Sequence, residues 1–325
     1  MGERSAWDRY WQADRIASCM DGAGQSNYDD RVAAGWRAFF HALPAGSQIL
    51  DLCTGNGAVA IIAAETSSVH GRNFAITGID LADIDPKRFV SRLEIIARDV
   101  TFVGNRSCET LTYADGQFDA VVSQYGIEYS ELDRSLTEAV RVLAPAGKLR
   151  LFMHAKEGMV VASTKKAIAD ADFLIDKAKL CDKAASCFRA VRAFETQVSD
   201  AEAAVRSDRA FNAFRAALKA TADRIDRATD TAMLRNTAGV LLHAFENRMY
   251  VPLEALLAKA AEAKQEILAH RSRQKALVSA AVTSARMAKM AAALAALGMA
   301  DIGWSEQRPG AEFVGYLMEG EKRPG

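Results

Sequence analysis

Over the first half of the chain, short apolar runs alternate with stretches of helical period. Val32, Trp36, Phe39 and Phe40 recur at helical spacing and predict a helix that Pro44-Ala45-Gly46 stops. An apolar run from Ile49 then ends in Asp51. A turn bearing Gly55 and Gly57 leads into a second apolar run that reaches Ile62. This reads as strand, glycine turn and helix. Runs at 74–80, 100–104 and 118–123 predict three more strands, and 140–151 predicts a helix, a Pro/Gly turn and a fifth strand. Such alternation argues for a parallel sheet with helices on both faces.

The pattern changes after His154. From about 156 to 297 the chain is rich in Ala, Lys, Arg, Asp and Glu, with Pro252 its only proline, a helix-forming composition. Helices are predicted at 159–179, 181–199, 201–226 and 229–248, with a long one from Pro252 towards Leu297. Leu heptads are not sustained, so a bundle or hairpin is expected over a long coiled coil. Strand patterns return at 301–307 and 312–319 around the turn Arg308-Pro309-Gly310. Three parts follow: 1–155 as an α/β core with N-terminal helices, 156–297 as a helical insertion, and 298–325 as a hairpin that closes the core sheet. A separate C-terminal helical domain with an unrelated hairpin is the alternative.

The glycine turn carries the first chemical signal. In the first loop of an α/β sheet, glycines allow a tight turn and close approach of a nucleotide-like ligand. Asp80 ends the second strand, about 20 to 30 residues on, where a carboxylate binds ribose hydroxyls. A nucleotide-binding dehydrogenase would carry Gly-x-Gly-x-x-Gly, but Ala60 stands at the third glycine's place.

The order of these pieces resembles the class I S-adenosylmethionine-dependent methyltransferases. Asp51-Leu52-Cys53-Thr54-Gly55-Asn56-Gly57 is similar to that family's first motif, Asp/Glu-x-x-x-Gly-x-Gly, and Asp80 to its ribose-binding acid. Asp115-Gly116-Gln117-Phe118-Asp119 resembles the segment leading into strand four, and 140–151 the helix, turn and fifth strand. The resemblance covers about half the chain and implies a doubly wound, Rossmann-like methyltransferase sheet with a C-terminal β-hairpin. The helical block is then an insertion between strands five and six.

The resemblance also implies the cofactor, S-adenosylmethionine, with S-adenosylhomocysteine as product. The cofactor-binding residues it implies are Asp51, Cys53, Gly55, Asn56, Gly57, Asp80, Leu81, Cys108, Glu109, Gln124 and Tyr125. Gly55 and Gly57 would let the methionine part approach, and Leu81 would pack on the adenine. Family members often have Asp where this chain has Ser107. The segment Ser123-Gln124-Tyr125-Gly126 lacks the Asn/Asp-Pro-Pro-Tyr of adenine N6-methyltransferases, and no Pro-Cys stands there as in cysteine-nucleophile cytosine enzymes. His154, at the carboxyl end of strand five, is read as a general base or substrate ligand, with a structural histidine as the other reading. Glu128 and Tyr129 are candidates for substrate contact, against a helix-start acid and a packed aromatic. Trp7, Tyr10, Trp11 and Tyr28 are either an aromatic lid over a sulfonium or a staple for the N-terminal helix.

Composition adds exclusions. Formal net charge is zero, which gives no nucleic-acid signature. The five cysteines form no CxxC pair, so neither a disulfide framework nor a zinc site is indicated, and no metal spacing stands out. The N-terminus has no apolar signal core and no run is long enough to span a bilayer, so a cytoplasmic protein is expected. The helical block carries about seven more basic than acidic groups, interspersed with the acids. Its readings are a lid for a small-molecule acceptor, a homodimerisation arm, or a basic surface for RNA. The expected activity is methyl transfer to an oxygen or nitrogen of a small molecule. An RNA or protein methyltransferase and a non-catalytic cofactor-binding scaffold are the competitors.

Overall fold

β1 (Gln48–Leu52) is buried at four of its five positions because strands pair with it on both sides and helices cover both faces. A computed structural model describes residues 3–18, 27–28, 30–91, 99–196, 200–228 and 231–324. Clustering of contacts divides the chain into two compact units, one formed by 163–275 and the other by nearly all the rest.

The α/β unit opens with α1 (Glu3–Trp11) and α2 (Asp30–His41). After β1 come α3 (Ala58–His70), β2 (Ala75–Ile79), the short α4 (Pro86–Phe89), β3 (Val100–Val103) and β4 (Phe118–Gln124). A 3-10 turn (Ile127–Tyr129), α5 (Leu132–Val142) and β5 (Leu143–His154) follow. β1 to β5 run parallel, in the order β3-β2-β1-β4-β5-β7-β6. β6 (Met299–Gln307) and β7 (Gly315–Lys322) close the sheet as an antiparallel hairpin, with β7 against β5. This is the expected Rossmann-like methyltransferase topology, with the helical block inserted between β5 and β6.

Alternation along the strands sorts the core. Ile49, Ile76 and Val122 point to one face, where they meet Trp36 and Phe40 of α2 and Val59 and Ile62 of α3. Leu50, Leu52, Val121 and Leu149 point to the other, against Leu136 and Val140 of α5 and Met287, Met290 and Leu294. Asp51 therefore lies on the same face as Ile49, near the end of β1, the one charged residue in the strand and a buried one.

The helical unit, 163–275, lies within the expected block 156–297. The unit boundaries fall inside α6 (Met159–Asp172) and α10 (Leu253–Ala280). The long predicted helix stops at Ala280 because Val282 makes a bridge with Ala155 and its N–H bonds to the His154 carbonyl at 2.8 Å. Thr283 then caps α11 (Ser284–Ala296), accepting the Arg286 N–H, and α11 packs in the α/β core. The β-branched pair Val282-Thr283 was the signal for this break. β7 starts later than the pattern suggests, at Gly315, where only a hydrogen fits against the Met153 carbonyl. β6 starts earlier, at Met299.

The helical unit has its own core. A π-helical segment (Phe173–Ala178) follows α6, and Lys179 in left-handed conformation ends it. α7 (Leu180–Thr196), α8 (Ala201–Ile225), α9 (Ala232–Glu246) and α10 then bury Leu180, Phe188, Phe214, Leu241 and Leu256 together. Asp200 caps α8 by accepting the N–H groups of Glu202 and Ala203 at 2.9 and 3.1 Å. Among the described residues, no helix is long and apolar enough to cross a membrane.

Candidate functional site

The strand order reverses between β1 and β4, and crevices at the carboxyl ends of such strands hold ligands. A cavity of about 340 Å³ opens there. Its walls come from the turn after β1 (Cys53), the ends of β2 and β3 (Asp80, Leu81, Ser107, Cys108, Glu109), the segment after β4 (Tyr125, Gly126, Tyr129) and α1 (Arg4, Trp7, Trp11). A smaller void of about 30 Å³ adjoins Asp51, Thr54, Gln124, Trp7 and Trp11. So Asp51, Cys53, Asp80, Leu81, Cys108, Glu109, Gln124 and Tyr125 all line one or the other. Arg4, Arg106 and Ser130 also line the cavity; as charged or polar groups on loops and a helix end they belong to no motif that sequence reasoning could pick out.

Asp80 organises this wall. One oxygen accepts the Gly55 N–H at 2.8 Å and the other accepts the Ala82 N–H at 2.8 Å, which ties the glycine turn to the end of β2. Burial pushes its pKa up to about 6 against those two bonds. Asp51 is 2% exposed and accepts the Thr54 hydroxyl at 2.6 Å, and burial pushes it up to about 7. Gln124 is buried. Its carbonyl oxygen accepts the Trp36 indole N–H, and its amide nitrogen has no protein partner.

Two non-glycine residues of the wall hold left-handed backbone, Cys53 at φ 55° and Tyr125 at φ 54°. Such conformations cost about 1 kcal/mol or more each and persist where the surroundings fix them. Here Ser123 fixes both strand ends: its hydroxyl donates to the Leu52 carbonyl at 2.9 Å and accepts the Ile127 N–H at 3.1 Å. Gly126 packs so closely on Cys53 that a Cβ would collide with it.

The structure places five of the expected residues away from the cavity lining. Asn56 does not reach the cavity. It is fully buried, and its side-chain N–H groups donate to the carbonyls of Trp11 and Arg15 at 2.9 and 2.7 Å, so it anchors the segment after α1. Gly55 and Gly57 lie under aromatic rings. A Cβ on Gly55 would enter the Trp11 ring, and one on Gly57 would enter the Phe102 ring. The room the glycines leave is filled by aromatic rings from this chain.

His154 and Glu128 line neither cavity. His154 is 1% exposed; its backbone N–H and its Nδ1 both meet Glu128 Oε1, at 2.9 and 2.8 Å. Tyr125 stacks on the imidazole with centroids 4.1 Å apart, and Tyr129 meets it edge-on at 6.2 Å. The pair lies behind the two tyrosines that face the cavity. It cannot touch a group inside it without their displacement.

The aromatic residues of α1 form a cover. Trp7 stacks on Trp11 at 6.2 Å and meets Tyr129 edge-on at 5.5 Å. Glu109 reaches the other rim, accepting the Glu131 N–H at 3.0 Å. Among the described residues, no cluster of three or more His, Cys, Asp or Glu is placed to hold a metal ion.

Burial of Asp51 makes stability depend on pH. The folded pKa near 7 exceeds the ordinary 3.8, so the folded chain binds this proton more tightly than the unfolded chain. The contribution is fully present below about pH 4 and is lost as pH rises towards 7. Relative to Asp51→Asn, the intact protein should lose up to about 1.4 kcal/mol per pH unit across that window. Denaturant melts of both proteins between pH 4.5 and 7 measure this; parallel curves would contradict it.

An α/β domain with a ligand crevice at its strand-order reversal is the class that fold and site define. Residues 49–147 match the family described as "Methyltransferase domain". The chain is similar to the demethylmenaquinone methyltransferase of Bacteroides fragilis, 30% identical over 105 residues, covering 31% of this chain and 41% of that one. It is also similar to the demethylmenaquinone methyltransferase of Thermus thermophilus, 33% identical over 108 residues, covering 32% and 46%. Among solved structures, an arsenic(III) S-adenosylmethionine methyltransferase of Chlamydomonas reinhardtii is 30% identical, with a TM-score of 0.30 over 35% of this chain and 42% of that one. The matches thus span less than half the length of these relatives. Residues 49–147 of the α/β unit are thus similar to a methyltransferase domain.

Proposed function

We propose that the chain transfers a methyl group from S-adenosylmethionine to a small, flat, largely apolar acceptor, at an oxygen or nitrogen. One observation carries the reading: a single cavity joins the turn of the first motif, the acid ending β2 and the segment after β4 under an aromatic cover. The cofactor supplies a methyl group on a positively charged sulfur, which leaves as a neutral thioether.

The residues fit such a ligand. Asp80 holds each oxygen to one backbone N–H and keeps lone pairs for ribose hydroxyls. Leu81, Ala82 and Cys108 offer an apolar slot for a purine ring. The unpartnered amide of Gln124 lies beside Asp51, a donor and an acid suited to the carboxylate and amine of an amino-acid moiety. Trp7, Trp11, Tyr125 and Tyr129 present ring faces and edges that stabilise positive charge and exclude water. Since Trp11 covers Gly55, a ligand extending along the turn requires α1 to shift. Among the described residues no histidine or lysine lines the cavity, and the chain's contribution is positioning.

Similarity to a ubiquinone/menaquinone biosynthesis C-methyltransferase of Rickettsia felis favours a second reading, methylation at a carbon of a quinol-like acceptor. The helical unit, with Val205, Met249 and Tyr250 exposed, is read as a homodimerisation surface. Sedimentation of the whole chain at micromolar concentration tests that; a monomer removes it.

Calorimetric titration with S-adenosylmethionine and S-adenosylhomocysteine, followed by acceptor screening with tritiated methyl donor, tests the activity. Micromolar binding and label on a phenol, amine or quinol support it, and the labelled atom separates the two readings. Absence of binding overturns it. Trp7→Ala should weaken S-adenosylmethionine by about 2- to 30-fold, since a cation over an aromatic ring contributes about 0.5–2 kcal/mol. The uncharged S-adenosylhomocysteine should be affected less. Equal losses for both would argue for simple packing.

A further inference from the structure

Cys53 and Cys108 are 55 residues apart in sequence, yet their sulfurs lie 3.8 Å apart on the cavity wall. The sequence shows no CxxC because the sheet makes the pair: β1 and β3 end at the same edge and deliver one cysteine each. We infer that these two thiols form a reversible disulfide on exposure to a hydroperoxide, and that this modification closes the cofactor pocket.

The geometry suits the bond. Thiols in contact need approach by only about 1.8 Å to reach the 2.05 Å of a disulfide. Both border a cavity of about 340 Å³, ample for hydrogen peroxide. The two sulfurs are also unequal. Hydrogen bonds from the Cys53 thiol, and from the hydroxyls of Ser135 and Ser130, pull Cys108 down to about 7 against burial. Cys53 is pushed up by the same bond and by burial. Cys108 is therefore the thiolate that reacts first and Cys53 the resolving thiol. Cys181 and Cys187, buried in the helical unit, are each pushed up to about 11 and should react far more slowly.

The chemistry balances with hydrogen peroxide as oxidant. The Cys108 thiolate attacks one peroxide oxygen, the O–O bond breaks, and hydroxide leaves and takes a proton to become water. Cys108 is left as a sulfenic acid. The Cys53 sulfur then attacks the Cys108 sulfur, the S–O bond breaks, and the hydroxyl leaves with the Cys53 proton as a second water. Two thiols lose two electrons, and one peroxide is reduced to two waters.

The bond would act on binding through the turn. Cys53 packs against Gly126, and Gly55, two residues on, donates its N–H to Asp80. Drawing Cys53 towards Cys108 pulls this turn from its place and takes Cys108 from Ser135, 3.5 Å away. The consequence for the cofactor rests on the proposed function; formation of the bond does not.

The test treats the full chain with hydrogen peroxide, alkylates remaining thiols, and maps linked peptides by mass spectrometry, beside calorimetry with S-adenosylhomocysteine. The expected result is a Cys53–Cys108 link, at least a tenfold loss of affinity restored by dithiothreitol, and slower linking when S-adenosylhomocysteine saturates the site. Cys108→Ser and Cys53→Ala should both lose the peroxide dependence of whatever affinity they retain. Oxidation of other thiols without this link, or a link that leaves affinity unchanged, would overturn the inference. Reduced protein that binds no S-adenosylhomocysteine would sink the cofactor reading, and the peptide map would still decide the pair.

Discussion

Replacing Asp80 by alanine lowers the affinity for S-adenosylhomocysteine by at least a hundredfold. The carboxylate holds the turn after β1 through the Gly55 N–H and the end of β2 through the Ala82 N–H, each at 2.8 Å. Its removal frees the turn and takes away the acceptor proposed for two ribose hydroxyls. Hydrogen bonds to a charged group contribute about 1.5–3 kcal/mol each, so losing two is worth about 3–6 kcal/mol, or two to four decades. Asp80→Asn keeps one oxygen as an acceptor but turns the other into a donor facing a backbone N–H, and should fall between. The pKa near 6 adds a signature, because burial opposes the ionised acceptor. Affinity of the intact protein should rise as pH climbs from about 5 to 7, and this rise should shrink in Asp80→Asn. Calorimetry over that range measures both. An alanine variant that binds within threefold of the intact protein would mean that the ligand does not meet the end of β2.

Much of this wall was legible in the sequence, for definite reasons. Asp51 is a polar residue ending an apolar strand, Gly55 and Gly57 interrupt a strand-to-helix passage, and Asp80 closes the next apolar run. Local pattern reports such features because strand ends and turns are local events. The pairing of Asp80 with Gly55 needed the register of β1 against β2, with Leu52 beside Ile79, which no local pattern contains. The same holds for Cys53 and Cys108, and for the Trp36 indole on Gln124, residues 88 apart. Asn56 shows a different dependence on distant packing. Its place within the motif suggested a ligand, whereas its amide serves the carbonyls that follow α1. Side-chain direction within a turn depends on the segment packed above it, and here that segment lies 41 to 45 residues earlier. The end of the long helix at Ala280 was likewise set at a distance, by the backbone of His154 and Ala155.

Glu128→Ala should cost about 3 kcal/mol of stability, because it strips one acceptor from two donors of a residue with no access to water. The buried His154 backbone N–H and its Nδ1 both face Glu128 Oε1. Leaving such groups unmet costs about 1–3 kcal/mol each, and breaking a buried pair costs about 3–5 kcal/mol. Glu128→Gln retains an acceptor and should recover most of that loss. Whether the pair also does chemistry is settled by separate readouts on His154→Asn. A general base inside the cavity would lose kcat by a hundredfold or more, with its pH dependence altered and cofactor affinity intact. The structure argues for the other outcome. Tyr125 and Tyr129 pack on the imidazole and line the cavity, whereas His154 and Glu128 do not, so the expected role of the pair is positioning. His154→Asn should then lower the melting temperature and shift KM as the tyrosines lose their backing. The pH profile of kcat should stay where it was. An unmoved melting temperature with a flattened pH profile would reverse this assignment and restore His154 to the reacting centre.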